Sequence, residues 1–354
     1  MNTTTASTRP LRRQLLAVHR WLSLGAALFW LLQAISGVLI VFHWEINDAA
    51  IPGAHRPTGL AAIERRIDAI TAGGGTVTAV WTTAGSAERY NINTKAGTVR
   101  VAGDGTALRT IPKGEGHWIG YVVGFHHDLL GGIWGSWIVA ISGILLVGNL
   151  LLGIVAAWPR RGTWRLALRP ATRGPATARL YSWHRALGLW VAIPALVIAL
   201  TGTLMKFEDG LGGLLGGEPV SLPANPPAGP PIGFAAAAGA GLAAIPGSTL
   251  TAVIWPKPDD ATFTVRLNAP GEIRRTYGAS RVLVDANDGT VRGIYPIAEA
   301  PAARAFMSAL FPIHTGEAGG TIGRLLSIAI GLWLVTMIVA GTLLWAKRRK
   351  AKRA

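Results

Sequence analysis

Cysteine is absent from the 354-residue chain. That excludes disulfides, iron–sulfur clusters and covalently attached c-type haem, but not a metal or haem held by histidine. Acid is scarce: 18 Asp and Glu stand against 34 Lys and Arg, a formal net charge of +16. Segments 1–20, 159–185 and 347–353 carry four, seven and six of these cations and no acid, so the rest of the chain is close to neutral. The cations flank apolar runs rather than a groove-reading element, which makes nucleic-acid binding a poor reading.

What is abundant is apolar residue, half of the chain. Four runs, near Leu15–Trp44, Ile133–Trp158, Leu187–Phe207 and Ile322–Trp345, approach or exceed the roughly 20 residues needed to cross a bilayer. The first is too long for a secretory signal, and no small-residue cleavage site follows it. Cations gathered at three helix ends are the positive-inside pattern. They place both termini and the middle connection in the cytoplasm and both long loops outside. The division is a cytoplasmic N-terminus 1–13, helix 14–44, outer domain 45–131, helix 132–158, basic cytoplasmic loop 159–180, helix 181–207, outer domain 208–321, helix 322–346 and basic tail 347–354.

The chain repeats itself. His19-Arg20, Gly37 and Phe42 recur 165 residues on as His184-Arg185, Gly202 and Phe207. His126, Gly131-Gly132, Gly143 and Gly153 recur 188 residues on as His314, Gly319-Gly320, Gly331 and Gly341. Both copies cross the membrane in the same sense, so a pseudo-two-fold axis along the membrane normal should relate them. The loops echo each other as Thr76–Val80 and Thr249–Val253. Alternating β-branched segments predict strands near 76–82, 87–93, 97–102 and 106–111, then 249–255, 261–267, 274–277, 281–284 and 291–295. Helices are expected over Gly59–Ala72 and Ile232–Ala244, and a Gly/Pro-rich linker over 211–231. The predicted fold class is an all-α membrane four-helix bundle of two parallel helix–loop–helix repeats, with two small α+β domains outside.

Four of the eight histidines fall at repeat-equivalent positions. His19 and His184 lie at the cytoplasmic starts of helices 1 and 3, and His126 and His314 at the outer starts of helices 2 and 4. A two-fold axis supplies one ring from each side, so each pair could make a bis-imidazole site. Two imidazoles without Cys or carboxylate leave a zinc site incomplete, but they complete a porphyrin iron. Gly25, Gly37, Gly143, Gly153, Gly188, Gly202, Gly331 and Gly341 give a flat macrocycle room. Arg12, Arg13, Arg20 and Arg185 could pair with its propionates. The bland reading stays open: interfacial His anchors, glycines that serve close packing, and a duplication that copies both. His43 and His127 are alternates at the outer site. Mid-membrane Trp30, Trp190 and Trp333 could bridge the two levels or simply pack. Arg89, Arg100, Arg266, Arg274 and Arg275 could attract an anionic chelate, or form a solvated strand face.

Together these segments resemble the PepSY-associated transmembrane helix family of bacterial inner-membrane proteins. The resemblance is carried by His19-Arg-Trp-Leu with Ser36-Gly-Val-Leu, Phe42-His-Trp-Glu45, Phe125-His-His-Asp-Leu-Leu130, Trp183-His-Arg-Ala-Leu-Gly188, and Pro312-Ile-His-Thr-Gly-Glu317 followed by Gly323-Arg324. It covers nearly the whole chain and makes the two loops PepSY-like periplasmic domains. It implies haem b, expected as two groups, with axial ligands His19, His184, His126 and His314. It also implies an oxidoreductase of the ferric-siderophore reductase type, acting on a ferric siderophore or another periplasmic iron chelate. With no fused flavin domain after helix 4, the electron donor would be a separate cytoplasmic flavoprotein or a quinol. Membrane lipid is the other expected partner, and nucleic acid is not one. A haem-free regulatory or scaffold protein binding a protease or peptide is the alternative. A permease is weaker, since no span contains an acid for an ion path.

Overall fold

The computed structural model describes residues 8–215, 229–257, 260–351 and 353. Most of the expected linker at 211–231 lies outside the described residues. The elements run α1 (Thr8–Ile40), α2 (His43–Ala49), α3 (Leu60–Ala72), β1 (Val77–Thr83), β2 (Ser86–Thr94), β3 (Gly97–Ala102), β4 (Ala107–Pro112), α4 (Trp118–Asp128) and α5 (Gly132–Ala157). After α6 (Trp164–Ala167), the second copy runs α7 (Ala176–Met205), α8 (Glu208–Leu215), α9 (Phe234–Ala244), β5 (Thr249–Ile254), β6 (Thr262–Asn268), β7 (Ser280–Asp285), β8 (Val291–Tyr295), α10 (Ala302–Thr315) and α11 (Gly320–Ala351).

Four helices, α1, α5, α7 and α11, are long and apolar enough to cross a membrane. Their large side chains, such as Leu28, Ile133, Ile193 and Leu325, face outward, as expected of surfaces that meet lipid rather than water. Each helix packs against two others, in the cyclic order α1–α5–α7–α11. The repeat-equivalent helices, α1 with α7 and α5 with α11, therefore stand on the diagonals. The first and last helices are fastened together on the sheet side. Arg324 of α11 pairs with Glu45 in a two-point contact and donates to the Val41 carbonyl, from Nη2 at 2.6 Å and Nε at 3.2 Å. Its guanidinium also lies 4.1 Å over the Phe42 ring. Val41 follows the last residue of α1, so the cation meets the negative end of that helix dipole.

The strands expected from the two outer loops do not make two separate domains. They form one eight-stranded sheet of order β4-β3-β2-β1-β5-β6-β7-β8. The join is β1 against β5, antiparallel, with Ala79 opposite Ile254, Val80 opposite Val253 and Trp81 opposite Ala252. Val80 and Val253 are themselves repeat equivalents, so the sheet's local two-fold passes between them. Alternation located each of these eight strands, but it could not say that the first strand of each half would pair with its own copy. The segment expected as a strand near 274–277 is irregular. Its polar groups are taken elsewhere: Arg275 donates to Ser308, the Thr276 amide to Glu317, and the Tyr277 hydroxyl to the Thr82 carbonyl.

Period-2 patterning splits the sheet into two faces. Tyr90, Ile92, Val101, Phe263, Val265, Leu267, Val282 and Val284 lie on one face and form a core with Ile63 and Ile67 of α3 and Phe234 and Ala237 of α9. Trp255 closes this core, stacked parallel on Phe234 and edge-on to Phe263. The other face carries Trp81, Arg89, Asn91, Arg100, Arg266 and Arg281.

The chain has no cysteine, so Ala79→Cys with Ile254→Cys introduces a single pair. Opposed residues of antiparallel strands lie within disulfide reach. Mild oxidation should form one intramolecular bridge, seen as loss of both free thiols without a dimer band. Two independently tethered domains would keep both thiols.

Candidate functional site

The repeat-equivalent histidines occupy matching seats. His126 and His314 are not on the spans themselves but on α4 and α10, short helices set off from α5 and α11 by left-handed turns. Leu129 and Leu130 make the first turn (φ 57° and 59°), and Gly316 opens the second (φ 81°). These turns let α4 pack on α1 and α10 on α7.

Each ring then fills the notch left by a glycine on a neighbouring helix. A Cβ at Gly37 would stand 3.0 Å from Cε1 of His126, and one at Gly202 would stand 2.5 Å from Cε1 of His314. On the opposite side the roles exchange. His19 and His184 sit on the spans, and their rings lie against Gly153 and Gly341, where a Cβ would come within 3.1 and 3.4 Å. Four of the eight span glycines noted in the sequence seat a histidine. Others pack helices, Gly143 against Thr203 and Gly331 against Val38.

The hydrogen bonds repeat as well. Nδ1 of His126 lies 3.1 Å from the Gln33 carbonyl, with Ser36 Oγ at the same distance, and Nδ1 of His314 lies 2.8 Å from the Ile198 carbonyl. Gln33 and Ile198 are 165 residues apart, the repeat offset of the first helix. Nδ1 of His19 lies 3.1 Å from the Asn149 carbonyl. A carbonyl only accepts, so Nδ1 carries the proton in these three rings and Nε2 keeps a free lone pair. This is the arrangement a metal-ligating imidazole needs. The fourth ring differs: Nδ1 of His184 is buried without a partner.

The outer pair is brought together directly. The ring centroids of His126 and His314 are 6.4 Å apart, with planes inclined by 33°. Two imidazoles on opposite sides of one metal, each at about 2 Å through nitrogen, have centroids roughly 6 Å apart. At the other level, His184 lies within electrostatic range of His19. The eighteen residues from His19 to Gly37 put the two levels about 27 Å apart along α1.

Among the described residues, no three of His, Asp and Glu gather as a metal-binding cluster. A metal held here would need most of its ligands from elsewhere, as porphyrin supplies them. The free Nε2 atoms of His126 and His314 and the glycine notches fit a bis-histidine haem at the outer level; at the other level His19 has the same tautomer, while His184 lacks the Nδ1 hydrogen bond of the other three rings.

The remaining candidates fall around these pairs. The His127 ring lies 6.1 Å from His126, and its carbonyl accepts from Lys206 at 2.8 Å. His43 spends Nδ1 on the Ile40 carbonyl of its own chain turn and lies against Trp44. Arg12 and Arg185 donate to the Ala156 and Ala157 carbonyls at the end of α5, while Arg20 spreads over Trp21. Trp30 and Trp333 are buried and donate to Ser142 Oγ and the Leu187 carbonyl, whereas Trp190 is exposed and donates to the Leu168 carbonyl. Sequence reading passed over Asn149, whose Nδ2 donates to Ser23 at 2.9 Å. A lone amide inside a span was the available signal.

Of the five arginines that could have formed a solvated face, Arg274 is exposed, Arg266 and Arg275 are partly buried, and Arg89 and Arg100 are buried. Arg89 and Arg100 are each 3% exposed. Arg89 pairs with Asp48 at 3.2 Å, and Arg100 donates to Asn91 at 2.7 Å and to the Asn47 carbonyl at 3.1 Å. The face is turned down onto α2, which is why it is covered. In the other half Arg266 stands directly opposite Arg281. Burial, then Arg281 and Arg275, lowers the Arg266 guanidinium to about 10. Tyr277 is set edge-on to both Trp44 and Trp81, and burial pushes its hydroxyl up to about 12.

Burial raises the Glu45 carboxyl, but the hydrogen bonds from Arg324 more than offset this and hold it below its usual range. The stability from that pair is therefore complete at neutral pH and lost as pH falls through the depressed value. Glu45 is half exposed, so Glu45→Gln should cost only about 0.5–1 kcal/mol at pH 7. It should also flatten the acid limb of the melting-temperature profile in detergent. An acid limb identical to that of the unsubstituted protein would remove the pair from the account.

No curated protein matches the chain. A family model described as the PepSY-associated TM region matches residues 16–348. That span takes in all four long apolar helices, the sheet and every histidine seat described above, and the chain belongs to this family.

Proposed function

We propose that this protein is a haem-dependent transmembrane electron carrier that reduces a ferric chelate, such as an iron–siderophore complex, on the sheet side of the bacterial inner membrane. The observation that carries the reading is the His126–His314 pair. Its rings stand 6.4 Å apart, and both Nδ1 atoms bond to repeat-equivalent carbonyls. His19 and His184 would hold a second group near the other face. Haem b bound at these positions would supply a one-electron couple at each side of the membrane.

The chain's own residues do the positioning. The carbonyls of Gln33, Ile198 and Asn149 hold three imidazoles as one tautomer and aim Nε2 away from the helix that seats them. The glycines let each ring lie flat against a neighbouring helix, which fixes its rotation. The buried positions exclude water and so tune the potential.

On this reading, the termini and the connection around α6 face the cytoplasm, where a flavoprotein or quinol donates. The sheet faces the periplasm. Its arginine face rests on α2 and near α10, beside the outer histidines. Reduction to Fe(II) weakens hard-oxygen chelation and frees the metal.

The assignment of ligands is tested by haem content per chain, measured on purified variants. His184→Ala and His314→Ala should each remove about one haem and leave the other. Loss of both groups, or of neither, contradicts the pairing.

The seats make a graded prediction. Gly202→Ala puts a Cβ 2.5 Å from His314, so it should empty or weaken the outer site. Gly341→Ala makes only an ordinary contact at 3.4 Å and should keep full haem content. Equal effects of the two substitutions would mean that the glycines do not seat the rings.

A further inference from the structure

A cavity of about 480 Å³ opens beside the cytoplasmic histidine level, between the segment after α5 and the first turns of α7. Its lining includes Leu166, Arg169, Arg173, Tyr181, Ser182 and Arg185. The walls are braced: the Ala171 amide donates to Ser182 Oγ at 2.8 Å, and Arg185 Nε donates to the Ala157 carbonyl at 3.2 Å. Arg348, at the far end of α11, lies 5.3 Å over the Tyr181 ring and adds another cation at the rim.

No carboxylate side chain is at hand to neutralise these arginines. The sequence has no Asp or Glu before Glu45, none between Asp128 and Glu208, and none after Glu317. Among the described residues, the ion pairs all involve carboxylates of the sheet side. An anion bound here would therefore come from outside the side chains of this protein. We propose that the cavity binds the phosphate of an anionic phospholipid from the adjoining leaflet.

Two features select a lipid over a soluble phosphate. Leu166, on the cavity wall, is 76% exposed, and so offers an acyl chain an apolar lip. Trp158 and Trp164 pack edge-on 5.0 Å apart beside it, with Trp158 exposed, which is the aromatic signature of the headgroup depth. Basic pockets between helices on the cytoplasmic side are suited to anionic headgroups, and arginine matches phosphate through paired hydrogen bonds. This proposal does not depend on haem binding.

The test is a titration of delipidated protein in detergent with short-chain phosphatidylglycerol, phosphatidylcholine and inorganic phosphate. Phosphatidylglycerol should bind the unsubstituted protein and raise its melting temperature, while the other two should not. The double variant Arg169→Gln/Arg173→Gln should bind it about thirty-fold more weakly, given the usual gain per surface cation. Arg160→Gln/Arg161→Gln, on the same loop but outside the lining, should lose much less. Equal losses in both double variants would show diffuse attraction and overturn the site. A shift reproduced by inorganic phosphate would assign it to a soluble ligand instead. Native mass spectrometry of the unsubstituted protein gives a reading that does not depend on variant folding. Retention of phosphatidylcholine as strongly as phosphatidylglycerol would also reject the proposal.

Discussion

The structure turns on one contact made four times: an imidazole lying in the notch of a glycine on a neighbouring helix. Histidine is too bulky to sit between close-packed spans unless the facing residue has no side chain. Gly37, Gly153, Gly202 and Gly341 remove that side chain where a ring arrives. The notch also brings a main-chain carbonyl within reach of Nδ1 in three cases, which settles the tautomer. Helix spacing and ring orientation thus follow from the same small residue. Within each copy the exchange is reciprocal, since α1 seats the histidine of α4 while α5 seats the histidine of α1.

Duplication turns these seats into sites. Standing on diagonals, the equivalent helices bring equivalent rings toward one axis, and the sheet carries that axis on through Val80 and Val253. The strands of both long loops share a single sheet, so the loops must lie on the same side of the membrane. Arg324 and Glu45 then close the ring of helices between two segments 279 residues apart. Both partners stood in the motifs that carried the family resemblance, and their meeting gives those motifs a structural reason.

Much of this was legible in the sequence, for identifiable reasons. The spans could be read because a bilayer demands long apolar runs, and the histidine pairs because a fixed offset exposes duplication. The helices over 60–72 and 234–244 follow from composition between turn residues. Less could be read of partners. Nothing in the alternation of Thr76–Val80 says that it pairs with Thr249–Val253, since strand pattern specifies a face and not a neighbour. The strand expected near 274–277 failed because its backbone and side chains are tied to α10 and Glu317 rather than to a ladder. Arg89 and Arg100 read as surface residues because burial of a cation depends on Asp48 and the α2 carbonyls, which only the fold assembles. Which glycines hold rings and which only pack helices was likewise hidden until the helices were set side by side.

The central claim is that the two histidine levels each hold one haem. Absorbance and electron paramagnetic resonance of protein purified from a haem-replete host test it most directly. The account predicts a reduced α-band of b-type haem, about two haems per chain, and low-spin ferric signals of bis-imidazole ligation. A colourless preparation with intact fold, or a haem with a single histidine ligand, would contradict it.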